Sequence, residues 1–251
     1  MLMNAGKIIS DLKILKCQSM IRGWLSRKNN IYLKLKRNNV SKVFSNEFNG
    51  YHLICEAPVK EALWEEINKN IVSTFCNVSD EAKGNHKSGK DMQFDKYGIS
   101  IKSSKIERGK ISISSYRLTT ICSDKNPGNP EDIVNEIKKR DSSYEYYSIL
   151  AREELENNSI HYYWLLIPKN TKVFEIKLSN IRPKIGKFGK NKDNQVGWET
   201  DNSSIVFSMS SQLWFNFNFE SIKKYIIADV IVDNSKKKKT YSEIFNILNN
   251  T

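Results

Sequence analysis

Alternating apolar and polar positions predict strands over most of the chain from Gly98 onward. Eight runs rich in aromatic and β-branched residues are separated by Asn, Gly, Pro and Ser: GISIK, KISISSYRLTTI, SYEYYSILA, HYYWLLIP, KVFEIKL, SIVFSMS, QLWFNFNF and KYIIADVIV. Such runs favour extended structure, and the small and polar residues between them favour turns. The run SYEYYSILAREEL also fits a helix, but we favour a strand followed by a short turn.

The first part of the chain has helical periodicity. Residues 3–28 carry apolar side chains at helical spacing opposite a basic face, which predicts an N-terminal amphipathic basic helix within a segment 1–45. Inside it, CQSMIRGWLSR resembles the IQ motif that binds calmodulin-like proteins. The match is a single imperfect copy, with Cys17 and Asn30 where apolar residues are usual. We therefore favour a helix that faces DNA or the core over a calmodulin-type partner.

A second helix is predicted from Pro58 to about residue 72, because proline is favoured in the first turn of a helix. Its apolar stripe consists of Leu63, Ile67 and Ile71. On this helical wheel Glu66 flanks the stripe, whereas Glu61 and Glu65 point away from it. Glu66 is therefore the acid of this helix that we expect to reach inward.

Further helices are predicted for NPEDIVNEIKKR, with Asn129 as its cap and Pro130 in its first turn, and for the terminal YSEIFNILN. Strands mixed with helices indicate an α/β protein with a mixed central sheet flanked by helices. A chain of 251 residues is long enough for one large domain. We expect residues 46–251 to form one domain after the N-terminal segment.

Charge suggests an anionic partner. Forty Lys and Arg against 28 Asp and Glu give a net charge of +12, while 39% of residues are hydrophobic. A folded basic protein of this kind is typical of nucleic-acid binding, although an AT-rich genome also enriches Lys, Asn and Ile. The run Lys236 to Lys239 fits a solvated loop, a phosphate contact or a nuclear-import signal.

Several site types and locations are disfavoured. The four cysteines are widely spaced and accompanied by three histidines, so neither a zinc site nor a disulfide framework is predicted. The N-terminus lacks the apolar core of a signal peptide, and no run approaches the length of a membrane span. We therefore expect a cytoplasmic protein with no membrane partner.

The stretch HKSGKDMQFDKYGISIKSSK contains the candidate chemistry. A tight turn between Lys96 and Tyr97 would place Asp91 opposite Lys102 on adjacent strands. Ser100 would then oppose Gln93, with all four side chains on one sheet face. A cross-strand salt bridge on a wet surface, worth a few tenths of a kcal/mol, is the alternative interpretation.

This arrangement resembles the PD-(D/E)XK nuclease superfamily, in particular type II restriction endonucleases. In that family an Asp opens one strand, an acid-x-Lys triplet lies on the next, and the preceding helix often supplies a glutamate. Asp91 matches the first element and Lys102 the last, but Ser100 replaces the second acid and Lys90 the motif proline. The resemblance covers residues 57 to 120 and implies a restriction-endonuclease-like core that cleaves double-stranded DNA with Mg²⁺.

The resemblance also implies roles for individual residues. Asp91 would be the central magnesium ligand, Glu66 would replace the carboxylate that Ser100 lacks, and the Ile101 carbonyl would complete the protein ligands. Lys102 would orient or deprotonate the attacking water and stabilise the transition state. The reserve candidates for the second carboxylate are Glu107 and Asp95.

Side chains around this motif are candidates for DNA contacts through their ammonium, hydroxyl, guanidinium and amide groups. They are Lys87, Ser88, Lys90, Ser103, Lys105, Ser114, Ser115, Tyr116, Arg117 and Gln212. Cleavage at a palindromic site would suit a homodimer, and the resemblance implies a cognate DNA methyltransferase. The alternatives are a non-catalytic nucleic-acid-binding protein and a repair or structure-specific nuclease of the same superfamily.

Overall fold

The structure, a computed structural model, describes residues 31–79, 89–117, 129–207 and 212–240, together with 242–244 and 246. The helices are α1 (Ile31–Arg37), α2 (Val40–His52), α3 (Glu61–Ser73) and α4 (Pro130–Asp141). The strands are β1 (Val78–Ser79), β2 (Met92–Phe94), β3 (Tyr97–Lys105), β4 (Lys110–Arg117), β5 (Tyr146–Glu154), β6 (Ser159–Pro168), β7 (Arg182–Ile185), β8 (Gln195–Glu199), β9 (Ser203–Phe207), β10 (Gln212–Asn218) and β11 (Ile226–Asp233). The helix predicted over residues 3–28 and the IQ-like stretch lie outside the described residues.

The strands form two sheets. The first sheet has the order β1-β2-β3-β5-β6-β11, and the second has the order β4-β10-β9-β8-β7. Strands β3 and β5 pair in parallel and the other neighbours in the first sheet are antiparallel. The predicted α/β class with a mixed sheet flanked by helices is therefore confirmed, and the second sheet is an addition to it.

Two apolar cores hold these layers together. Helices α2 and α3 pack on one face of the first sheet, where Phe44, Trp64 and Trp164 are fully buried. The second sheet covers the other face, where Ile113 and Phe215 lie in a separate cluster with residues of β5 and β6. The strand predicted for QLWFNFNF is present as β10, and its alternating Phe215 and Phe217 are buried, as is Phe219 directly after the strand. Each face of β3 therefore meets a packed layer.

Residues from Ile31 onward belong to the first core. Ile31 and Leu35 of α1 and Phe44 and Phe48 of α2 are buried against it. Their spacing is helical, and we missed it because polar residues dominate this part of the chain. The boundary predicted after residue 45 falls inside α2. None of the described helices is long and apolar enough to cross a membrane.

Other element predictions had mixed outcomes. The ambiguous SYEYYSILA run contributes to strand β5. Helix α4 begins at Pro130, and the Asn129 side chain accepts a hydrogen bond from the Glu131 N–H, which confirms the predicted cap. The strand predicted for KVFEIKL was wrong, because residues 172–178 form turns and irregular backbone in which Val173, Phe174 and Ile176 are buried. Strands β7 and β8 were not predicted.

The β2–β3 hairpin forms, but its predicted register was wrong. The centre of the turn lies one residue earlier in the chain, so each residue of β2 pairs with a partner two residues earlier than predicted. Phe94 pairs with Tyr97 and Met92 with Ile99, so the turn residues are Asp95 and Lys96. Asp95 adopts a left-handed conformation (φ 52°), which aspartate tolerates better than most residues. Asp95 also binds the Lys34 ammonium at 2.7 Å and the Asn77 N–H at 3.0 Å. These contacts fix the turn one residue earlier than expected.

His52 makes the free energy of unfolding depend on pH. Its Nδ1 lies 2.9 Å from the Cys55 carbonyl and its Nε2 lies 2.9 Å from the Tyr162 hydroxyl, which accepts the Val59 N–H. Burial lowers the pKa of His52 below its ordinary value, and the Lys238 charge adds to the effect. The stability is therefore present above about pH 6.5 and lost as the pH falls towards the lower folded pKa.

We expect the free energy of unfolding to fall between pH 7.5 and 5.5, with a His52 contribution of at most about 1.4 kcal/mol per pH unit. The variant His52→Gln should show a shallower dependence over this range, because glutamine does not titrate. Urea unfolding at several pH values measures the difference. Parallel pH curves for the two proteins would contradict the assignment.

Candidate functional site

Asp91 and Lys102 meet where strand β2 begins. The β2–β3 ladder stops at Met92, and the Asp91 side chain continues it by accepting the Ile101 N–H at Oδ2, 2.6 Å away. The same oxygen lies 3.3 Å from the Ser100 hydroxyl and 3.3 Å from the Lys102 ammonium. Asp91 adjoins Ser100 rather than Lys102 along the strand, but the predicted contact between carboxylate and ammonium is present.

Lys102 is the most deeply buried charge of this group. Its side chain is 11% exposed, and its ammonium donates to the Ile101 carbonyl at 2.5 Å and to Glu61 at 3.3 Å. Burial alone would lower the pKa of Lys102, but the charges of Asp91 and Glu61 outweigh it and raise the pKa above its ordinary value. A wet surface salt bridge does not describe this contact, because the cation is held inside the fold by three oxygen atoms.

The acids that helix α3 presents differ from the prediction. Glu61 contacts Lys102 and Glu65 is half-buried, whereas Glu66 is exposed. The physical reason is that Trp64 and Asn68 are fully buried, which turns the inner face of the helix towards Glu61 and Glu65. The predicted stripe is confirmed at Ile67 and Ile71, which are buried, whereas Leu63 is only partly buried. Including Trp64 in the stripe would have given the observed face.

Three contacts fix this orientation of α3. The Trp64 indole lies 5.5 Å from that of Trp164, and its N–H donates to the Ser148 carbonyl at 3.5 Å. The Ser148 hydroxyl donates to the Asn68 side chain at 3.1 Å. Because Ser148 is paired with Ile101 in the parallel ladder, the helix is tied to the strand segment that carries Lys102.

Glu65 has an unfavourable environment for its negative charge. Burial raises the pKa of Glu65 and the charge of Asp91 raises it further, against a smaller opposite effect of Lys102. A half-buried carboxylate whose negative charge is opposed by a neighbouring acid is a favourable setting for a cation. Glu65 is therefore a better second carboxylate than the exposed Glu66.

These oxygens suit magnesium as a partial ligand set. Asp91 Oδ1 accepts no hydrogen bond from the described residues, and the Ile101 carbonyl faces Lys102. Magnesium is commonly held by one or two carboxylates, with water and phosphate oxygens as its other ligands. Within the described ranges, no group of three or more His, Cys, Asp or Glu side chains could hold a metal. The fit therefore relies on Asp91, Glu65 and one backbone carbonyl.

A basic cleft of about 1290 Å³ opens beside this group. Glu61, which contacts Lys102, lines the cleft as well, and so do Ser103, Ser104 and Glu107. Five basic residues contribute to its walls: Lys60, Lys105, Arg108, Lys110 and Arg152. The second sheet closes the cleft with Trp214 and Asn216 of β10. The cleft thus combines cations, hydroxyls, an indole and an amide.

The predicted DNA contacts are only partly found together. Ser103 and Lys105 line the cleft, although Lys105 pairs with Glu154 at 2.6 Å. Lys90 and Ser114 are half-buried outside the cleft lining. Lys87 and Ser88 lie outside the described residues, as do the side chains of Ser115, Tyr116, Arg117 and Gln212. Of the reserve acids, Glu107 reaches the cleft and Asp95 is bound in the hairpin turn.

Sequence analysis missed Arg108, Lys110, Arg152 and Trp214 as cleft residues. The available signal was the turn ERGK between strands β3 and β4, where Arg108 (φ 51°) and Gly109 (φ 73°) are left-handed.

No protein-family model matches the chain, and comparisons with curated proteins and with solved structures give no match either.

Proposed function

We propose that this protein is a metal-dependent phosphodiesterase that cleaves nucleic acid. Within that class, the resemblance of Asp91 and Ser100-Ile101-Lys102 to the PD-(D/E)XK pattern favours a magnesium-dependent endonuclease of the type II restriction kind. The observation that carries the proposal is the buried Lys102 ammonium, 3.3 Å from both Asp91 and Glu61, beside a basic cleft. A surface hairpin would not bury this cation.

Asp91, Glu65 and the Ile101 carbonyl would hold magnesium. When bound, the ion would supply charge neutralisation at the phosphate and a more acidic water. The Lys102 ammonium would orient that water and stabilise negative charge on the phosphate oxygens, because a cation in a water-poor site interacts strongly with developing charge. Glu61 would keep the ammonium in position through its ion pair. Ser100 would contribute its hydroxyl to Asp91, since it has no charge to offer a metal.

Double-stranded DNA is the proposed substrate. The five basic residues of the cleft would neutralise phosphates and position the duplex, while Trp214 and Asn216 lie where bases or sugars would pass. A homodimer acting on a palindromic site, a cognate methyltransferase and a cytoplasmic location follow as proposals from the same resemblance. A repair or structure-specific nuclease would use the same group of residues.

Incubation of the protein with supercoiled plasmid DNA tests the proposal. We expect conversion to open-circular and linear forms with Mg²⁺ and none with EDTA in its place. Sequencing of the ends would give a fixed site for a restriction enzyme and scattered sites for a structure-specific nuclease. Intact plasmid under all divalent-cation conditions, with the DNA nevertheless bound, would overturn the catalytic proposal.

Two observations favour a non-catalytic alternative. Ser100 stands where the motif has an acid, and the described residues contain no three-residue metal cluster. A nucleic-acid-binding protein that keeps Asp91 and Lys102 as a buried ion pair would bind DNA with or without Mg²⁺. In such a protein, Asp91→Asn combined with Lys102→Met would leave the affinity for DNA unchanged. Neither the variant nor the unchanged protein would cut DNA.

A further inference from the structure

The connection between β7 and β8 has a closed backbone conformation. The Gly186 N–H donates to the Asn194 carbonyl at 2.8 Å, and the Asp193 N–H donates back to the Gly186 carbonyl at 3.0 Å. A Cβ atom added to Gly186 would lie 2.0 Å from the Asn191 carbonyl oxygen, so glycine is required for this close approach. These contacts fix the backbone conformation of the loop over residues 186–194, which carries Phe188.

Phe188 is the most exposed large apolar side chain among the described residues, at 85%. A single exposed apolar residue needs no explanation by itself, but the sequence around this one is strongly basic. Asp193 is the one acid of the loop, and four lysines lie between residues 184 and 192: Lys184, Lys187, Lys190 and Lys192. An exposed aromatic side chain in a lysine-rich stretch of sequence fits a polyanion that also offers an apolar surface.

The loop adjoins a polar row that crosses the second sheet. Ser112, Asn216 and Ser204 are register partners on β4, β10 and β9. The Lys184 ammonium reaches across from β7 and binds the Ser204 hydroxyl at 2.6 Å. Ser112 and Asn216 line the basic cleft, so the row joins the cleft to the base of the loop. From β4 to β7 the sheet spans four strand spacings, or about 19 Å.

We propose that Phe188 is a wedge that inserts between base pairs of a DNA duplex whose backbone lies in the basic cleft. The proposal rests on the duplex-DNA substrate of the proposed function. A span of about 19 Å corresponds to about six base pairs, so one duplex can reach both features. Apolar side chains flanked by cations unstack base steps and bend DNA in this manner, with the lysines bound to the adjacent phosphates. Unstacking would deform the duplex near the cleavage site.

The test measures DNA binding and bending without cleavage. A 30-base-pair duplex labelled with a fluorophore at each end is titrated with the full chain in EDTA. We expect energy transfer to rise on binding because the ends approach. Phe188→Ala should lose this rise and bind roughly tenfold more weakly, since a stacked aromatic contributes on that scale. Phe188→Leu should retain most of the bend, because aliphatic side chains also act as wedges.

Leu178→Ala is the matched control, because Leu178 is also exposed (52%) but lies outside the loop. It should behave as the unchanged protein. Equal bending and affinity for Phe188→Ala and the unchanged protein would overturn the wedge and leave the proposed function standing. Absence of DNA binding by the unchanged protein would instead refute the proposed function.

A membrane partner is distinguished in the same experiment. Vesicles of phosphatidylserine and phosphatidylcholine are sedimented with the unchanged protein and with Phe188→Ala. Vesicle binding that depends on Phe188, together with DNA binding that does not, would overturn the wedge in favour of a membrane contact. DNA bending that depends on Phe188, with equal vesicle binding by the two proteins, supports the wedge.

Discussion

Replacing Asp91 with asparagine is expected to lower magnesium-dependent plasmid cleavage by at least about 100-fold, or about 2.7 kcal/mol in transition-state free energy. The carboxylate would be the central ligand of the ion, and a neutral amide oxygen binds magnesium much more weakly. Asparagine also removes the negative charge 3.3 Å from the Lys102 ammonium. Initial rates of plasmid cutting over a range of Mg²⁺ concentrations measure the effect, and added Mg²⁺ should not restore the rate.

The fold should survive this substitution. The asparagine oxygen can still accept the Ile101 N–H, and Lys102 keeps Glu61 as its ion-pair partner. We expect DNA affinity in EDTA to change by less than about threefold, since Asp91 contributes no cation to the phosphates. Asp201→Asn is the matched control, because Asp201 is 87% exposed in the connection between β8 and β9 and does not line the cleft. Cutting by Asp91→Asn at the rate of this control would refute the assignment.

The Asp91–Lys102 contact was predictable because it depends on local sequence. Two short strands joined by a turn bring residues eleven apart together, and alternation places Ser100 and Lys102 on one face. The register was not predictable from the hairpin alone. Asp95 takes the left-handed turn position because Lys34 and Asn77, which are distant in sequence, bind its carboxylate.

Sequence patterns could not predict that the strands divide into two sheets. Strands β3 and β4 are joined by a short turn in which Glu107 and Lys110 exchange backbone hydrogen bonds, yet they enter different sheets. Their separation lets Ile113 and Phe215 cover the first sheet, and this burial is a tertiary effect. Strands β7 and β8 carry few apolar residues and pair at the edge of the second sheet, so they gave no periodic signal.

The helix face can be tested with two neighbouring glutamates. We expect Glu65→Gln to lower magnesium-dependent cutting by at least about tenfold, because it removes one of two carboxylates that would bind the ion. Glu66→Gln makes the same chemical change on the exposed side of α3 and should cut at the unchanged rate. The thermal unfolding temperature of Glu65→Gln should be no lower than that of the unchanged protein, because burial and the Asp91 charge already oppose ionisation of Glu65. A loss of cutting for Glu66→Gln with none for Glu65→Gln would exclude Glu65 as the second carboxylate and support Glu66, the residue predicted from sequence.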